Sequence, residues 1–187
     1  KFITDIVNPF LNATHQEQNT RPLGIMRVKR GNKNKSRLVD ALKISSSLNT
    51  ELATASNIQE LNILMHDDKT KLILIAYNGK DFSRSDIEQI IQTFKKAKKP
   101  AFRNKFYNFN KLDKKVIITV DGVMKAGDDL IGKSLEFVAF WWERSLSEKS
   151  TFEAPLQSLG RVCRISYNSG LLPPMVYGDL RLPNIID

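Results

Sequence analysis

Apolar residues fall along this chain in two patterns. Continuous runs occur at 23–29, at 71–77 (KLILIAY), at 116–120 (VIITV), at 135–142 (LEFVAFWW) and, shorter, at 175–178. Those at 71–77, 116–120 and 135–142 predict buried strands, while 23–29, which ends in charge, and 175–178 predict an opening and a short last strand. Between them the apolar positions recur at helical spacing: Leu38, Ala41, Leu42 and Leu48 within 34–48, then 58–65, and later 151–165. Ser83 is a good N-cap with Asp86 three residues on, so a helix is expected to start there and run to about Lys96. The stretch 97–114 reads as irregular or partly helical. Phe2, Ile3, Ile6, Val7 and Phe10 are spaced like a short helix face, followed by a polar stretch to Arg21. Strands alternating with helices predict an α/β fold with a mostly parallel sheet and helices on both faces. On this reading 1–21 is an N-terminal arm or interdomain linker and 22–187 a single domain.

Composition adds limits. The chain has 187 residues, 41% hydrophobic and 26% charged, which suits one globular domain with a real core. Its apolar runs fall short of the roughly 20 residues of a membrane span, so no membrane partner is expected. One cysteine, Cys163, excludes an internal disulfide and suits an intracellular setting. Two histidines and that cysteine are too few for a typical zinc cluster, and no metal ligand is assigned. The first residue is Lys rather than Met, as expected of a piece of a longer chain. A net charge of +9 favours a polyanionic partner, nucleic acid first among them; the plain alternative is a solvated basic surface.

The segment richest in chemistry runs from Gln157 through Gly160 and Arg161 to Arg164, in the form Q-x-x-G-R-x-x-R. On a helix that spacing puts the two arginines on one face, where two guanidiniums can meet one polyphosphate. Gly160 leaves room for close approach of a ligand or backbone. The bland alternative is a surface helix with two solvated arginines. Upstream, the strand at 116–120 leads into a loop with Gly127 and Asp129. The stretch 127–134 also matches the phosphate-binding pattern G-x-x-x-x-G-K-[ST], with Lys133 as its lysine. That match reads as accidental: the strand does not run into Gly127, and Asp128 and Asp129 would face polyphosphate.

Two basic stretches complete the candidates. Arg27, Lys29, Arg30, Lys33, Lys35 and Arg37 follow the first strand. Lys95, Lys96, Lys98, Lys99, Arg103, Lys105, Lys111, Lys114 and Lys115 are interleaved with Phe102, Phe106, Tyr107 and Phe109. Lysines with aromatics suit single-strand binding, since rings stack on bases while cations meet phosphates. A solvated helix end, with phenylalanines packed beneath a loop, explains the same pattern without a ligand. Trp141 and Trp142, neighbours on a strand, are expected on opposite faces, both in core packing.

Thr119 closing a strand, then Gly127 and Asp129, a further strand, and Gln157, Gly160, Arg161 and Arg164 together resemble the C-terminal RecA-like domain of superfamily 2 helicases and translocases. The resemblance covers about 22–180 and implies a RecA-like three-layer sandwich. It implies that Arg161 and Arg164 reach an ATP γ-phosphate, one as an arginine finger, with Gln157 coupling to the nucleotide. Gly127, Asp129 and Gly160 would line the nucleotide cleft. Thr119, Arg27, Lys29, Arg30, Lys98, Lys99 and Arg103 would serve nucleic-acid backbone, with DNA ahead of RNA. ATP and Mg2+ would be bound mainly by an N-terminal RecA-like domain of the same parent protein, so this chain alone is expected to be inactive. The alternatives are a non-catalytic nucleic-acid-binding or regulatory module of the same fold and a self-contained P-loop NTPase.

Overall fold

The structure is a computed structural model that describes residues 3–12, 21–27, 40, 51–98, 114–120, 136–143 and 174–178. Among the described residues six strands form one sheet: β1 (Leu23–Arg27), β2 (Leu52–Ala55), β3 (Leu72–Tyr77), β4 (Lys115–Val120), β5 (Val138–Glu143) and β6 (Met175–Gly178). Their order is β2-β3-β4-β1-β5-β6, and every pairing is parallel. The described helices are α1 (Asn8–Asn12), preceded by a π-helical turn over Ile3–Val7, α2 (Ile58–His66) and α3 (Arg84–Lys98). The expected helix at 34–48 lies outside the described residues apart from Asp40, and that at 151–165 lies outside them altogether.

The runs of unbroken apolar residues are explained by two separate clusters, one on each side of the sheet. On one face Leu23, Ile25, Ile73, Ile75, Tyr77, Val116, Ile118, Val120 and Trp141 pack with Leu61 of α2 and with Ile87, Ile90, Ile91 and Phe94 of α3. On the other, Met26, Leu72, Leu74, Ile117, Ala139 and Phe140 meet Ile6, Val7 and Phe10. Strands sandwiched this way gain nothing from polar alternation, so β3 and β4 are buried at all six positions. The result is an α/β three-layer sandwich of RecA-like type. Residues 3–12, read from sequence as part of an arm, supply cover for the second face, with Val7 fully buried.

Local chemistry sets the element ends. The backbone N–H of Ser83 donates to Asp86 Oδ2 at 2.7 Å and that of Asp86 to Ser83 Oγ at 3.3 Å, the reciprocal capping box that starts α3. Asn57 caps α2 by accepting from the Glu60 N–H at 2.9 Å, while Glu60 reaches back to the Ser56 N–H at 2.7 Å. Between β1 and β5 the register steps from Leu23–Val138 to Gly24–Phe140, skipping Ala139. That extra residue resets the alternation, so Phe140 falls on the α1 face directly opposite Gly24. Trp141 and Trp142 then lie on opposite faces, as expected from sequence, one in each cluster.

Candidate functional site

An all-parallel sheet gathers all its strand C-termini along one edge. Here the chain leaves β1 for β2, three places to one side, whereas it leaves β4 for β5, crossing to the other side of β1. Neighbouring strands whose onward connections diverge leave a crevice at their carboxyl ends, the place where open α/β sheets bind ligands. The residues along that edge follow from the register. Tyr77 pairs with Val120, Val120 with Arg27, Arg27 with Glu143, and Glu143 with Gly178. Arg27 is half-buried at the centre of the row.

The loop from β3 to α3 borders this edge and is built almost entirely from its own polar groups. Asn78 Oδ1 accepts from the backbone N–H of Lys80 and of Asp81, each at 2.8 Å, and its Nδ2 donates to Asp81 Oδ2 at 2.9 Å. Gly79, at φ 78°, takes the left-handed conformation that a side chain disfavours, and its N–H donates to Phe82 O at 3.0 Å. Phe82 donates back to Ala76 O, and its ring is fully buried. The hydrophobic pattern assigns this loop no structure. The signal for its structure was present in Asn-Gly followed by Asp, residues that bond their own backbone in turns.

Of the expected nucleic-acid residues, the structure describes Thr119, Arg27 and the position of Lys98, and these three stand apart. Thr119 is 5% exposed, and its hydroxyl donates to Ile75 O at 3.1 Å, tying β4 to β3 from inside the sheet. Arg27 stands at the carboxyl edge, whereas Lys98 is the last residue of α3. That helix starts beside Tyr77 and, 15 residues later, ends near the opposite edge, where Phe94 meets Phe137 at 5.8 Å. A helix of that length spans about 22 Å, so Arg27 and Lys98 belong to opposite ends of the sheet. Lys29, Arg30, Lys99 and Arg103, the cleft residues Gly127, Asp129 and Gly160, and Gln157, Arg161, Arg164 and Lys133 lie outside the described residues, as do Phe102, Phe106, Tyr107 and Phe109.

Two lysines of the second basic stretch have structural duties. Lys114 Nζ donates to the carbonyls of Leu64 (3.1 Å), Met65 (2.8 Å) and Asp67, closing the C-terminus of α2 with a cation where the helix dipole is negative. Burial pushes its pKa down, against the opposing pull of Asp67 and Asp68. Lys115 is 4% exposed with Nζ 5.3 Å from the centre of the Phe10 ring. Asp67 itself is held below the usual carboxylate range by hydrogen bonds from the Thr70 hydroxyl and the Lys69 N–H.

Among the described residues no group of three His, Cys, Asp or Glu is placed to hold a metal ion, and no helix is long and apolar enough to cross a membrane. No protein-family model, curated protein or solved structure matches the chain.

Proposed function

We propose that this chain is the C-terminal motor domain of an ATP-dependent superfamily 2 helicase or translocase. The observation that carries the reading is the central position of β1 between β4 and β5. With that order, the segment bearing Gly127 and Asp129 departs from β4, and the segment bearing Gln157, Arg161 and Arg164 departs from β5. Both departures lie on the same edge, on either side of β1, where the crevice of an open α/β sheet is expected. Arg27 adds a cation at the centre of that edge.

In this role the chain contributes positive charge to an ATP site completed by an N-terminal RecA-like domain of the same parent protein. Arg161 or Arg164 meets the charge that develops on the transferring phosphoryl group, a contribution of ~10³–10⁵ in rate for an arginine finger. The Mg2+ ligands and the P-loop lysine are assigned to the partner domain. Nucleic acid, DNA ahead of RNA, lies against the edge that carries Arg27, and closing and reopening of the two-domain cleft moves it along.

The decisive experiment replaces Arg161 and Arg164 with Ala in the complete protein and measures Mg2+-dependent ATPase beside DNA binding. Lost ATPase with DNA binding retained supports the motor. Unchanged ATPase rejects it in favour of a non-catalytic nucleic-acid-binding module. ATPase from this chain alone, abolished by Lys133→Ala, rejects it in favour of a self-contained P-loop enzyme.

A further inference from the structure

Asparagine followed by glycine is chemically labile in water. The glycine amide nitrogen, on losing its proton, attacks the asparagine Cγ, the side-chain nitrogen leaves as ammonia, and a cyclic imide forms. Water then opens either imide carbonyl, giving aspartate or isoaspartate. Overall, one water is consumed and one ammonia released, with no oxidant, reductant or cofactor involved. Glycine favours the reaction because no side chain hinders the attack. Asn78-Gly79 is such a pair, and it sits at the exposed tip of the loop after β3, with Gly79 open to solvent and Asn78 partly so.

The geometry of this loop opposes each requirement of the reaction. The attacking atom, the Gly79 nitrogen, has its proton engaged by Phe82 O at 3.0 Å. The carboxamide under attack is fixed at both ends: Oδ1 between the Lys80 and Asp81 N–H groups, and the departing Nδ2 on Asp81 Oδ2 at 2.9 Å. Asp81 therefore contributes to both restraints, through its backbone donor and its carboxylate. The loop is in turn anchored by the buried Phe82 and its bridge to Tyr77.

We propose that Asn78-Gly79 is a spontaneous deamidation site, held closed by Asp81 and exposed only when the β3–α3 loop opens. Opening frees the Gly79 N–H and lets the carboxamide rotate toward it. Once formed, the product does not restore the latch. The donor to Asp81 is gone, a second carboxylate stands where Nδ2 met Asp81 Oδ2, and the isoaspartate form adds a methylene to the main chain. The modified loop carries one more negative charge beside the carboxyl edge of the sheet. This inference does not depend on the motor reading, because it rests on loop chemistry alone.

The test incubates the full chain in mildly alkaline buffer, natively and in urea, then follows residue 78 by peptide mass spectrometry after acidic digestion and by isoaspartate-specific methylation. The native chain is expected to react at least about tenfold more slowly than the urea-treated chain, as the loss of even one or two hydrogen bonds to charged groups would allow. Asp81→Ala, with its fold verified by circular dichroism, is expected to recover about tenfold of that suppression. Equal rates in native buffer and urea overturn the proposal, as does a folded Asp81→Ala chain that reacts no faster than the parent. Should that variant fail to fold, hydrogen exchange of the Gly79 amide in the parent chain decides. Protection supports the latch, and exchange at the rate of an open peptide overturns it.

Discussion

The Phe140 ring lies across Gly24, so close that a Cβ on residue 24 would stand 2.4 Å from both Cε1 and Cζ. Glycine is required here by space, and the space is set by the register shift that brings Phe140 opposite it. The same ring meets Phe10 edge-on at 5.1 Å and Tyr177 at 6.4 Å, so it cannot retreat without disturbing α1 or β6. Gly24→Ala is expected to cost about 1–3 kcal/mol by overpacking, measured by urea unfolding. Adding Phe140→Leu should return part of that loss, because the two changes act on one contact. Purely additive losses would place the strain elsewhere.

Lys114→Met keeps the aliphatic stem and removes the ammonium shared by two α2 carbonyls and that of the capping residue Asp67. The expected destabilisation is about 1–3 kcal/mol, the penalty for leaving partly buried acceptors without a donor. Since the contact is helix-capping rather than ligand-binding, the loss should appear in the unfolding midpoint of the free chain. Weakened oligonucleotide binding with an unaltered midpoint would contradict the assignment.

Asp67 gives an acid-side dependence. Its folded pKa lies below its unfolded value, so its contribution to stability is fully present above the ordinary carboxylate pKa. That contribution disappears as pH falls through the lowered folded value. The melting temperature followed from pH of about 5 down to about 2 should therefore drop less steeply in Asp67→Asn than in the parent. Parallel curves would show that the Thr70 and Lys69 hydrogen bonds do not persist in solution.

On the proposed function, Arg27→Gln should weaken oligonucleotide binding and lower the slope of log affinity against log salt by about 1, the signature of one lost phosphate contact. Fluorescence anisotropy over a salt series measures both. An unchanged slope removes Arg27 from the nucleic-acid surface.

Five of the six described strands could be read from apolar runs. Burial on both faces makes that signal strong for β3 and β4, whereas β6, with Met175 and Val176 exposed, was legible only as a short apolar stretch. The missing one, β2, has only Leu52, Ala53, Thr54 and Ala55 and a single neighbour, β3. An edge strand so short, with two alanines, makes little demand on hydrophobicity, so its sequence resembles a loop. The α3 cap was legible because Ser83 and Asp86 act locally. The duties of Lys114 and Lys115 were not, because they depend on α2 and Phe10, far away along the chain. A lysine aimed at a carbonyl and a lysine aimed at a phosphate are the same letter in the sequence. Two lysines counted from sequence as basic surface are thus committed to contacts within the protein.

β1 sits in the middle of the sheet, and both of its neighbours, β4 and β5, lie far along the chain. Leu23 waits for Val116 and Val138, separated from it by roughly half the chain or more. Closing loops of that size precedes any reward from pairing, which slows folding and leaves an apolar segment uncovered meanwhile. The central strand is therefore paired on both sides only after both β4 and β5 are available, which ties completion of the sheet to the distant half of the chain.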